Sequence, residues 1–156
     1  MLDRFGLHCK ITTITDLAER VEIVERRDEF DRSPAAFESR FNTEQQRIRK
    51  QLLQGRALIE RAKLDRVLLV RVAELCALLG IDGHRGELTL ARAARARAAL
   101  DGRASVDPDD VRRVAVMALR HRLRKGPLDN VDSGVRIEQA VDKVLDGRGS
   151  LRGVSD

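Results

Sequence analysis

Gly83-His84-Arg85-Gly86-Glu87-Leu88-Thr89-Leu90-Ala91-Arg92-Ala93-Ala94 is the stretch on which the fold of this chain turns. Before it, a leucine-rich helical pattern stops at Gly80, and Asp82-Gly83 is a turn signal. After it, an Ala/Arg pattern predicts a helix from Arg85 to about Leu100. Alanine at 91, 93, 94, 96, 98 and 99 favours that helix and lets a neighbouring helix approach closely. Arg85 falls in the first turn, beside backbone N–H groups that have no intrahelical partner, an arrangement suited to an anion. A solvated arginine at a helix start accounts for the same residue, and both readings stay open at this point.

The flanks extend the helical reading in both directions. Upstream, Val67, Leu68, Val72, Leu75, Cys76 and Leu79 recur at the helical period and predict a core helix over 64–79. Downstream, Asp101-Gly102-Arg103 turns the chain. Val106-Asp107-Pro108-Asp109-Asp110 then supplies a cap, a proline for the first helical position and first-turn acids. The helix it starts runs through Leu123, with Val111, Val114, Ala115, Ala118 and Leu119 as its apolar face. Arg120, Arg122, Arg124 and Lys125 cluster at its C-terminal end, where the helix dipole favours cations, and that accounts for them without a ligand. A connector over 126–133 leads to a last helix over 134–145. The expected unit is a four-helix bundle over 63–146, followed by a disordered tail over 147–156.

Residues 15–62 form a helical connector in this reading. Asp16, with Glu19 three residues on, predicts a capping box for a helix to about Phe30. Ser33-Pro34 opens a short helix over 35–41, and another follows over 43–61, with Gly55 as a candidate kink. The first residues are different. Leu7-His8-Cys9-Lys10-Ile11-Thr12 alternates like a short strand, yet it has no ladder partner in the sequence. Residues 1–14 therefore read as the last piece of an α/β domain.

Composition narrows the function classes. The chain has 156 residues, four Phe, no Trp and no Tyr, so aliphatic side chains must fill the core. No apolar run approaches a membrane span and no signal peptide is evident, so no membrane is expected. Cys9 and Cys76 lack metal or redox spacing and suit a reducing, cytoplasmic setting. The net charge is +5, and from Arg85 to Lys125 eleven basic and five acidic residues place +6 there. Acids interrupt that patch and no aromatics are available to stack on bases, so nucleic acid is the weaker reading. His8, His84 and His121 form no metal-ligand or triad pattern. No G-x-x-x-x-G-K-[ST] loop occurs, and catalytic machinery of the chain's own is not expected.

Several strings resemble the AAA+ motor subunit I of magnesium chelatase. Leu2-Asp3-Arg4-Phe5-Gly6-Leu7 is similar to the segment that ends its AAA+ core. Asp16-Leu17-Ala18-Glu19-Arg20-Val21-Glu22-Ile23-Val24 with Arg26-Arg27 is similar to the following helix. The stretch quoted first resembles the sensor-2 motif of its lid. Ala115-Val116-Met117-Ala118-Leu119-Arg120-His121-Arg122-Leu123-Arg124-Lys125 and Ser133-Gly134-Val135-Arg136-Ile137-Glu138-Gln139-Ala140-Val141 also resemble lid segments.

The resemblance implies an all-α fold, an AAA+ lid bundle preceded by a short strand left over from an α/β core. It implies that Arg4 is the arginine finger, acting in trans on a neighbour's nucleotide, with Asp3 orienting it or serving the interface. It implies that Arg85 is sensor 2, contacting the ATP γ-phosphate in its own subunit. Cations at that phosphate stabilise the charge of phosphoryl transfer. The family works as a homo-oligomeric ring with D and H subunits, and uses ATP with Mg²⁺ to insert Mg²⁺ into protoporphyrin IX for (bacterio)chlorophyll synthesis. Since the family's Walker motifs would precede Met1, the chain reads as a C-terminal part that is inactive alone. The alternatives are the lid of a cobalt chelatase or D-type subunit, and a basic helical nucleic-acid-binding module.

Overall fold

The computed structural model describes residues 4–123 and 132–147. Asp3, Arg124, Lys125 and the expected disordered tail from residue 148 lie outside the described residues. Among the described residues seven α-helices follow in order: α1 (Leu17–Arg32), α2 (Pro34–Arg40), α3 (Asn42–Leu58), α4 (Arg66–Leu78), α5 (Arg85–Leu100), α6 (Pro108–Leu119) and α7 (Ser133–Leu145). A 3-10 turn, Arg120–Arg122, extends α6. The chain divides into two compact units, Lys10–Leu53 and the combination of Met1–Cys9 with Gln54–Asp156. The all-α fold expected from the pattern is the one observed.

Within the larger unit, α5 packs on α4 and α6, and α7 packs on α4 and α6, so four helices close around one core. Leu75, Leu90, Leu119 and Ile137, one from each helix or its end, are fully buried at its centre. Alanines 94, 98, 115 and 118 line the same core and let the helices approach closely. Val67 follows the helical period but is 57% exposed, one step off the buried face defined by Leu68, Val72 and Leu75. The segments entering α4 and α6 are tied together. Lys63 N–H donates to the Ala104 carbonyl at 2.9 Å, and Val106 N–H donates to the Lys63 carbonyl at 2.9 Å.

α6 begins with a full capping box. The Asp107 carboxylate accepts from Asp110 N–H, and the Asp110 carboxylate accepts from Asp107 N–H at 3.0 Å. Asp110 is only 1% exposed, and the Arg103 guanidinium grips it with bonds of 2.5 and 2.8 Å. Burial alone would raise the Asp110 pKa. The Arg103 fork and the Asp107 N–H outweigh it and hold the carboxyl below its ordinary value.

The expectations for residues 7–12 and for Gly55 change. Residues 7–12 form no strand, because no partner strand exists among the described residues to take up their backbone groups. Instead His8 N–H donates to the Met117 carbonyl at 2.8 Å, so a helix end does what a ladder would have done. The other change is at Gly55, which does not break α3. It is buried, and a Cβ there would lie 3.2 Å from Leu100 Cα and 3.4 Å from the Ala99 carbonyl oxygen. It is glycine because the end of α5 passes against it.

The smaller unit is held differently. α1 buries no residue. The Asp16 carboxylate accepts from Glu19 N–H at 3.0 Å, one half of the expected box. Phe30 meets Phe37 edge-on at 5.7 Å between centroids, Phe37 meets Phe41 at 5.0 Å, and the Arg40 guanidinium lies over both Phe37 and Phe41. Three of the four phenylalanines thus act as the apolar joint of this unit.

Candidate functional site

The start of α5 is fixed by local chemistry. After α4, Gly80 adopts φ +64°, Gly80 N–H donates to the Ala77 carbonyl and Ile81 N–H to the Cys76 carbonyl, both at 3.0 Å. These two bonds make a Schellman stop. Gly83, at φ +67°, reverses the chain again, and His84 precedes α5 without a side-chain cap. Arg85 is then the first helical residue and is exposed, while Gly86 beside it is buried. A Cβ on Gly86 would lie 3.0 Å from Ile81 Cγ2 and 3.3 Å from Cys76 Sγ. The first turn of α5 is therefore seated directly on the α4 stop, and Arg85 is carried on rigid backbone at the rim.

Arg4 lies in the short segment before Lys10, exposed. That segment is attached to the bundle residue by residue. The Phe5 carbonyl accepts from Arg122 Nη2 at 2.9 Å and from His121 Nε2 at 2.9 Å, and His8 N–H completes the attachment at Met117. Leu7 sits in a groove with Ala93, Ala96, Leu100, Val114 and Met117. Arg122 also donates through Nε to the Ala118 carbonyl at 3.1 Å and through Nη2 to Thr89 Oγ1 at 3.4 Å. The segment bearing Arg4 and the helix bearing Arg85 thus share one arginine.

Beneath this surface, Cys76 is fully buried and its thiol is pushed up to about 12. Burial is the main cause and the Glu87 carboxylate adds to it, while Arg122 acts in the opposite direction. Glu87 Oε2 and the Nδ1 atoms of His8 and His121 are buried without a hydrogen-bond partner among the described residues. Of the cationic cluster, Arg97, Arg103, Arg112 and Arg120 are paired with Asp101, Asp110, Asp142 and Asp132. Much of the local positive charge is therefore already spent inside the fold.

Arg85 stands as the first residue of α5, and Arg4 lies in the same compact unit. The structure also assigns work to Arg122 that sequence reasoning attributed to the helix dipole alone. No local signal could have found it, since Phe5 is 117 residues away. Gly86 was equally silent, because a glycine near a helix start carries no mark of what packs on it. Both arginines are exposed residues, and a guanidinium is a side chain that can pair with a phosphate. No phosphate-cradling loop is present in the sequence, and among the described residues no group of three or more His, Cys, Asp and Glu could hold a metal ion.

Comparison with known proteins matches residues 70–144 to the AAA lid domain. The chain is 50% identical over 145 residues to the magnesium-chelatase 38 kDa subunit of Chlorobaculum tepidum, covering 93% of this chain and 37% of that protein. It is 44% identical to the magnesium-chelatase subunit ChlI of Anabaena variabilis, covering 93% and 43%, and 43% identical to that of Synechocystis, covering 93% and 41%. The chain therefore spans well under half the length of these relatives. A crystal structure of a Cytophaga hutchinsonii protein regarded as an ATPase superposes with a TM-score of 0.61 over 91% of this chain and 46% of that one. At 20% identity it speaks for the fold alone.

Proposed function

We propose that this chain, which matches the AAA lid domain over residues 70–144 and magnesium-chelatase subunits over 93% of its length, serves as the nucleotide-sensing lid part of a chelatase motor. In that motor, ATP hydrolysis drives Mg²⁺ into protoporphyrin IX for (bacterio)chlorophyll synthesis. The observation that carries the reading is Arg85, exposed as the first residue of a helix whose start is fixed by the α4 stop and by Gly86. ATP with Mg²⁺, when bound, supplies the γ-phosphoryl group whose charge is redistributed during transfer. Arg85 contributes a cation, and the first-turn N–H groups of α5 add partial positive charge, toward a phosphate in its own subunit. Arg4 projects from the bundle's N-terminal segment toward the nucleotide of a neighbouring subunit in a homo-oligomeric ring. The D and H subunits are the further partners in this reading. No helix among the described residues is long and apolar enough to cross a membrane, and two unbridged cysteines suit a reducing cytoplasm. The acid-paired arginines weigh against the rival nucleic-acid module.

Mixed rings test the assignment in a complete subunit carrying this segment. Arg4→Ala leaves its own site sound and spoils the neighbour's, whereas a phosphate-loop mutant has a dead site beside a sound finger. Mixing them is expected to give ATPase activity above the sum of the two alone. Arg85→Ala mixed with the phosphate-loop mutant is expected to give no such gain, because both lesions lie in the same site. Absence of rescue for Arg4→Ala in rings shown to be mixed would remove the trans role.

A further inference from the structure

We infer that Arg122 is a positioning residue: it couples the segment carrying Arg4 to the helix carrying Arg85, so that a displacement of either is felt by the other. The inference rests on the reading of those two arginines given above, and it adds the part between them. A cation at the end of α6 needs only the last carbonyls of that helix, and the Nε bond to Ala118 supplies this. The rest of the guanidinium reaches away from α6. Nη2 donates to the Phe5 carbonyl at 2.9 Å and to Thr89 Oγ1 at 3.4 Å. Phe5 directly follows Arg4 in the chain. Thr89 is four residues after Arg85, one turn along the same face of α5. A planar fork with several donors spans three elements in a way that a single ammonium cannot.

The surroundings reinforce the link. His121 Nε2 holds the same Phe5 carbonyl, so that oxygen has two donors and a fixed direction. Gly6 passes over Thr89, where a Cβ would rest 3.9 Å from the threonine methyl. His8 N–H anchors the far end of the segment to α6. Tilting α5 about its seat on α4 would carry Thr89, and through Arg122 the Phe5 carbonyl, with it. Two cations that serve different nucleotides would then move as one body rather than independently.

Amide hydrogen exchange in the ¹⁵N-labelled chain tests this without any nucleotide. His8 N–H reports the segment, and Leu90 N–H reports the core. Arg122→Leu is expected to speed His8 exchange by about ten- to a hundredfold, the range for losing hydrogen bonds to a charged donor, while leaving Leu90 unchanged. Thr89→Val keeps the shape but removes the hydroxyl. It is expected to speed His8 exchange about two- to fivefold when Arg122 is present, and to have no further effect in Arg122→Leu. Unchanged His8 exchange in Arg122→Leu, or a Thr89→Val effect of equal size in both backgrounds, would overturn the coupling. Should Arg122→Leu also expose Leu90, Arg122→Lys decides: it keeps the charge without the fork, and His8 exchange as slow as in the unaltered chain would overturn the inference. A failure here leaves the finger and sensor roles standing, since only the mixed rings bear on those.

Discussion

Replacing Gly55 with alanine sets two opposed effects against each other with a sign that can be read. In a helix interior, glycine costs about 1 kcal/mol relative to alanine, so a glycine that merely weakens α3 would yield a more stable protein on substitution. The structure argues otherwise. The new methyl would sit 3.2 Å from Leu100 Cα and 3.4 Å from both the Ala99 oxygen and the Leu100 nitrogen. These are backbone atoms at the end of α5, held there by Gly102 N–H on the Ala99 carbonyl and Arg103 N–H on the Ala98 carbonyl, so no rotamer change relieves the contact. Overpacking of this kind costs about 1–3 kcal/mol, and taking about 2 against the gain of about 1 leaves a net loss near 1 kcal/mol. For a chain of this size that corresponds to a melting temperature lower by about 2–4 °C. With no Trp or Tyr to fluoresce, far-UV circular dichroism is the natural probe. A rise in melting temperature would refute the argument that close packing, rather than a kink, is why glycine stands at 55.

Two further outcomes follow from the buried groups. A small thiol reagent at pH 8 is expected to titrate one cysteine in the native chain and two in denaturant, because Cys9 is exposed while Cys76 is buried with its thiol pushed up to about 12. Two fast-reacting native thiols would contradict the packing of Cys76 under α5. Asp110→Asn is expected to lower stability at pH 7 by about 1–3 kcal/mol, as the Arg103 fork and the capping box lose their charge. Since the folded carboxyl titrates below its ordinary value of about 3.9, its contribution is present above that pH and is lost as pH falls through the lower folded value. The gap between the two proteins in urea unfolding should therefore narrow as the pH falls below the ordinary carboxyl range, and a gap that widens toward acid would show the sign to be wrong.

Much of the fold was legible because its signals are local. The limits of α5 coincide with those predicted, since Gly80, Gly83 and the alanine run each act within a turn of chain. The limits of α4 moved, because Asp65 is its cap and accepts from Leu68 N–H at 2.6 Å, a role that the apolar pattern did not reveal. α3 stops at Leu58 rather than near 61, where the chain leaves to pair Lys63 with the segment before α6. Periodicity gave the spacing of α4 but not the width of its buried face, so Val67 was counted as core and stands outside. The alternation over 7–12 was real as a pattern, but a strand is a property of two segments and only one was in view. Grouping of Phe30, Phe37 and Phe41 likewise depends on how three helices meet.

The two arginines of the candidate site differ in what secures them, and that difference explains why one was easy to place. Arg85 is fixed by bonds within ten residues of itself: the Gly80 stop, the Gly83 reversal and the seating of Gly86 on Ile81 and Cys76. A short string is enough to specify all of these, so the same string can be recognised wherever it occurs. Arg4 is placed differently, because among the described residues the stretch that follows it, 5–16, forms neither helix nor strand. Its place depends on side chains from the end of α6, more than a hundred residues on. Substitutions that disturb Arg85 should therefore cluster next to it in sequence, at 80–86. Those that disturb Arg4 should fall far away, at His121 and Arg122, where the sequence showed only a basic helix end.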